Sequence, residues 1–132
     1  LMRAVAEDGF LAGRFDASWT PAVEWNCLTG ASQIALVWFR LARLRGNAAY
    51  TEHARRLLAY VSRTQHVCGP RPTAPEADTC GAIKGSHPIW GGYDPFRYPN
   101  WAAKFFADAI MASGEAEPAR DRSNEPGGNE GR

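Results

Sequence analysis

Apolar residues recur at helical spacing in three stretches of the chain, and these set its architecture. The first helix is expected from Pro21 or Thr29 to Arg45. Ala31, Ile34, Ala35, Trp38, Leu41 and Ala42 share one face, and Val37, Phe39 and Leu44 widen it. A helix apolar over most of its circumference belongs inside, packed on two sides. Gly46-Asn47 supplies the stop. The second helix is expected from Ala48 to Gln65, with Tyr50, Ala54, Leu57, Leu58 and Val61 as its stripe. Glu52, Arg55, Arg56 and Arg63 fall largely off that stripe and read as a solvated face. So short a connection forces the two into an antiparallel αα-hairpin. The third helix starts near Asn100, an N-cap after Pro99. Trp101, Ala102, Phe105, Phe106, Ala109 and Ile110 form its stripe, and Gly114 ends it.

The segments between are turn-rich. Leu1, Met2, Val5 and Ala6 read as the last turns of a helix. Residues 7–21 are a connection, with Asp8-Gly9 and Gly13 as turn signals and Phe10, Phe15 and Trp19 folding it onto the body. Residues 66–82 carry three prolines and no periodicity. No stretch alternates as a strand does, so the expected class is all-α, built of antiparallel αα-hairpins. The ordered domain spans 1–114, and 115–132, without one large apolar residue, reads as a disordered tail.

Composition narrows the function classes. The 132 residues make at most one domain. A net charge of +1 gives no electrostatic case for nucleic acid or membrane lipid. No apolar run approaches the roughly 20 residues that cross a bilayer. Five tryptophans is high for this length and calls for a large core or a stacking surface. Of the three cysteines, Cys68 and Cys80 flank the proline-rich loop and could bridge it. The favoured reading is reduced, inert thiols in a cytoplasmic protein; if the chain is a fragment, a secretion signal could have been lost. His66, Cys68, Cys80 and His87 lack a C-x-x-C or H-x-x-x-H spacing, so neither metal nor cofactor is expected.

Residues 81–106, GAIKGSHPIWGGYDPFRYPNWAAKFF, stand apart. Gly85, Pro88, Gly91, Gly92 and Pro95 break regular structure. Trp90, Tyr93, Phe96, Tyr98, Trp101, Phe105 and Phe106 alternate with Lys84, His87, Asp94, Arg97 and Lys104. Rigid aromatics on a loop, interleaved with charges, suit a lined groove better than plain core.

With Asp8-Gly9, Phe15-Asp16, Trp19, the run Trp25-Asn26-Cys27-Leu28-Thr29-Gly30, Thr64-Gln65, Gly85-Ser86, Pro88, Trp90-Gly91-Gly92-Tyr93 and Tyr98-Pro99-Asn100-Trp101-Ala102-Ala103-Lys104-Phe105, the chain resembles part of an α/α-toroid protein over about residues 4–112. The resemblance spans six-hairpin glycosidase-like, uronyl-epimerase-like and terpenoid-cyclase-like barrels. More narrowly, it is to toroids found with bacterial exopolysaccharide-synthesis enzymes. It implies a partial (α/α) toroid whose end loops build a groove for a polysaccharide or oligosaccharide. A whole toroid has roughly a dozen helices, so this chain would need a missing barrel half or a protein partner.

The resemblance gives the candidate residues roles. Trp90, Tyr93, Tyr98 and Trp101 could stack on sugar rings or simply cap the barrel end as core; for Trp90 and Tyr93, beside glycines, both readings stand, and Trp101, on the helix stripe, reads as core. His87 or Tyr93 would abstract a proton in lyase or epimerase chemistry, with Lys84 or Arg97 holding a sugar carboxylate. The plainer reading of His87 is an exposed loop histidine. Glu24, between Val23 and Trp25, is the most unusual carboxylate for glycoside hydrolysis, whereas Asp94 reads as a turn residue. Lys104 reads as a snorkelling surface lysine before a groove residue. A non-catalytic helical interaction module is the alternative. An isoprenoid cyclase-like toroid is a further one, without the expected DxDD or DDxxD motif. Strands between residues 81 and 100, or indole rings sealed inside a self-sufficient bundle, would end the toroid-rim reading.

Overall fold

The computed structural model describes residues 1–115; the tail expected over 115–132 lies, apart from Glu115, outside them. Three long helices dominate: α1 (Leu28–Arg45), α2 (Ala48–Thr64) and α4 (Asn100–Glu115), with a single turn α3 (Ala74–Ala77) in the loop after α2. The mostly helical class expected from periodicity is observed. Helix boundaries follow local chemistry. The Cys27 sulfur accepts from the Gly30 N–H at the start of α1, and Gly46 ends it in the left-handed region at φ 62°. Asn47 Oδ1 then caps α2 by accepting from the Ala49 N–H at 2.9 Å. Gly46-Asn47 is thus stop and start together, and the hairpin is antiparallel.

Helix α1 packs against both α2 and α4, which meet each other only slightly. Leu28, Ala35 and Phe39 of α1, Ala54, Leu57 and Val61 of α2, and Ala102, Phe106 and Ala109 of α4 form the core. The alanines let the helix axes approach closely while Phe39, Leu57 and Phe106 fill the space between. Val5, Leu11 and Ile83 close the core from the connecting segments. The expectation of an inner helix holds for two sides of α1; on a third, Val37 and Leu44 face outward.

Several expectations need correction. Residues 2–4 make one 3-10 turn, not the end of an α-helix. Gly114 does not end α4, which continues to Glu115, whose carboxylate meets Arg43 at 2.6 Å. Cys68 and Cys80 are bonded to each other, with Cα atoms 5.5 Å apart, so the reduced-thiol reading is overturned. No residue of this loop whose burial is described is buried; the cross-link closes it together with hydrogen bonds between His66 and Gly81 and between His66 and Ala82. Finally, a short antiparallel ribbon joins β1 (Asn26–Cys27) to β2 (Ser86–His87). Two residues per strand are too few for alternation to show in sequence. This contradicts the expectation of no strand within 81–100, although the strand is only two residues long and the indole of Trp90 is not sealed in.

Candidate functional site

The ribbon fixes the aromatic loop to the start of α1. Asn26 pairs with His87 and Cys27 with Ser86, and the Leu28 N–H donates to the Gly85 carbonyl at 3.1 Å. Asn26 is wholly buried, its Nδ2 donating to the Leu11 carbonyl at 2.8 Å. Ser86, also buried, pins the loop from inside. Its hydroxyl donates to the Tyr93 carbonyl at 2.6 Å and accepts from the Tyr93 N–H at 3.1 Å. The Phe96 N–H donates to the Ile89 carbonyl at 2.8 Å, and the Gly85 N–H to the Arg97 carbonyl at 3.0 Å. These bonds make 85–97 a folded-back loop with a fixed course.

Trp25 is the hub of this rim. Its indole is clasped by three glycines from two distant segments. A methyl group on Gly13 would stand 2.2 Å from its Cζ3, one on Gly91 2.8 Å from its Cβ, and one on Gly92 3.0 Å from its Cζ2. Beside it lies an open groove of about 500 Å³, lined by Val23, Glu24, Trp25, Pro88 and Trp90. Trp90 is 68 % exposed at its edge. Phe96 is exposed as well, held at φ 58°. Trp101 is 47 % exposed, and its Nε1–H donates to the Tyr93 hydroxyl at 3.1 Å. The core reading of Trp101 is therefore corrected: α4 turns Ala102 and Phe106 inward, which carries Trp101 to the surface beside Tyr93.

The remaining candidates divide. Glu24 is exposed in the Trp90 groove. His87 is half-buried, and its ring meets Tyr60 of α2 edge-on, 6.1 Å between centroids. The tyrosine in ring contact with this histidine is thus Tyr60. The His87 Nδ1 is buried without a partner among the described residues. Burial, and then the charge of Lys84, lower the pKa of His87, so the ring is neutral at neutral pH. Burial, and then Asp8, push the Tyr60 phenol up, opposed by Arg63, which lies over its ring at 5.6 Å. Asp94 pairs with Arg97 at 3.4 Å. Tyr98 meets the ring of His66. Lys104 pairs with Asp108 at 2.6 Å and lies 4.5 Å over the Phe105 ring, which commits it to its own helix.

Sequence reasoning quoted Trp25 and Ser86 only as part of the resemblance, with no role, and passed over Tyr60. Gly91-Gly92 reads as a turn, and nothing local marks it as the seat of an indole some 65 residues earlier. No protein-family model, curated protein or solved structure matches the chain. Fold and site together define a helical protein with a rim of exposed aromatics on a pinned loop.

Proposed function

We propose that this protein binds a polysaccharide along its aromatic rim, with Trp90 as the main stacking platform. The observation that carries the reading is Trp90 standing 68 % exposed beside the Glu24 carboxylate in an open groove. A flat indole suits the apolar face of a pyranose ring, and a carboxylate beside it accepts from sugar hydroxyls. Tyr93 and Trp101 are joined by a hydrogen bond at 3.1 Å and lie outside the lining of this groove. The α/α-toroid resemblance supports the same ligand class, and a helical hairpin with a third helix fits an arc of such a ring. The groove lining does not include His87, so binding is better supported than lyase or epimerase turnover.

Affinity electrophoresis through gels containing polygalacturonate or hydroxyethylcellulose tests this. Wild type is retarded in at least one, and Trp90→Ala runs as in a blank gel with unchanged circular dichroism. Unretarded wild type, or Trp90→Ala retarded equally, refutes it. A second reading, a helical interaction module, rests on outward-facing Val37, Leu44 and Met111 on α1 and α4; sedimentation showing a monomer at high concentration removes self-pairing.

A further inference from the structure

Outside the rim, the chain holds a further exposed indole, that of Trp19. Residues 15–21 form a closed tip, where Phe15 and Pro21 bridge. Asp16 Oδ1 accepts from the N–H groups of Ser18 and Thr20 at 2.8 and 2.9 Å. The Trp19 N–H donates to the Asp16 carbonyl at 3.1 Å, and the Asp16 N–H to the Thr20 carbonyl at 3.0 Å. This network holds Trp19 at φ 62°, a conformation that bulky L-residues rarely adopt. Its indole leans on Phe15, 6.1 Å between centroids, yet stays 68 % exposed. Of the three non-glycine residues with positive φ among those described, two, Trp19 and Phe96, are exposed aromatics. Trp90 and Trp101 are exposed as well, without positive φ.

The tip is joined to the rim. Below it, the Ala22 N–H donates to the Arg14 carbonyl at 3.0 Å and the Gly13 N–H to the Trp25 carbonyl at 2.7 Å. One hairpin therefore carries Trp19 at its tip and Trp25, with Glu24, at its base. Five residues lie between Trp19 and Trp25, so their Cα atoms stand at most about 22 Å apart. We infer that Trp19, backed by Phe15, is a second stacking subsite for the same polysaccharide, engaged only by chains long enough to leave the Trp90 groove. The inference rests on the sugar-binding reading and adds a length requirement to it.

The test is titration calorimetry with galacturonate and cellulose oligomers, each as dimer and hexamer. Wild type binds a hexamer more tightly than its dimer. Trp19→Ala weakens hexamer binding about three- to tenfold and leaves dimer binding unchanged. Trp19→Phe, which keeps a ring, recovers most of the loss, and Trp90→Ala weakens both lengths. Hexamer binding by Trp19→Ala equal to wild type overturns the inference and leaves the Trp90 groove standing, as does equal weakening of both lengths. Wild type that binds none of the four oligomers removes the groove reading and this subsite with it.

Discussion

Gly91→Ala is the sharpest probe of the rim. The added methyl would stand 2.6 Å from Ser86 Cβ, 2.8 Å from Trp25 Cβ and 2.9 Å from Trp25 Cγ. None of these is the free end of a flexible side chain. Both Cβ atoms are fixed to backbone, and Ser86 is held by two hydrogen bonds to Tyr93. Relief requires the loop to lift from Trp25 or the indole to leave its seat. Overpacking of this kind costs about 1–3 kcal/mol, which lowers the melting temperature by about 5–15 °C in a domain of this size. Gly30→Ala is the control. Its methyl would meet only Cys27, at 3.4 Å from the sulfur, within α1. There alanine is favoured over glycine by about 0.5–1 kcal/mol. Thermal melts followed by far-ultraviolet circular dichroism should therefore move in opposite directions for the two variants. Tryptophan fluorescence should shift for Gly91→Ala alone. A Gly91→Ala protein melting with wild type would refute the seat assigned to Trp25.

Two further outcomes follow from particular groups. Reducing Cys68–Cys80, which are 12 residues apart, removes about 3 kcal/mol on the chain-entropy account; urea unfolding with and without reductant measures it, and coincident curves would exclude a stabilising cross-link. The folded-state pKa of His87 is lowered, so its neutral form belongs to the native protein and protonation favours the unfolded chain. Its contribution is complete above the unfolded value of about 6.5 and is lost as pH falls from there through the folded pKa. His87→Gln should flatten the decline in stability below that pH, and an unchanged slope between pH 7 and 5 would contradict the burial of this ring.

What the chain determined by itself is local. Apolar residues three and four apart, Gly46 as the stop and Asn47 as the cap describe α1, α2 and their antiparallel turn without reference to anything distant, because a helix satisfies its own backbone. Helix α4 was legible to within a residue at its end, but its facing was not. Trp101 and Ala102 are neighbours on the same apolar stripe, and only contact with α1 decides that Ala102 goes inward.

The site was legible as a kind of surface. An aromatic run broken by glycine and proline suited a lined groove better than plain core, and in the structure Trp90 and Phe96 are exposed. Its internal arrangement was not. That Cys68 pairs with Cys80, that His87 meets Tyr60, and that Gly13, Gly91 and Gly92 enclose Trp25 are contacts between residues far apart in the chain. Such contacts leave no periodicity to read, since each depends on how the packed helices and the two-residue ribbon bring separate loops to one end of the molecule. The sequence named the helices and the rings; packing chose which rings face water and what holds them there.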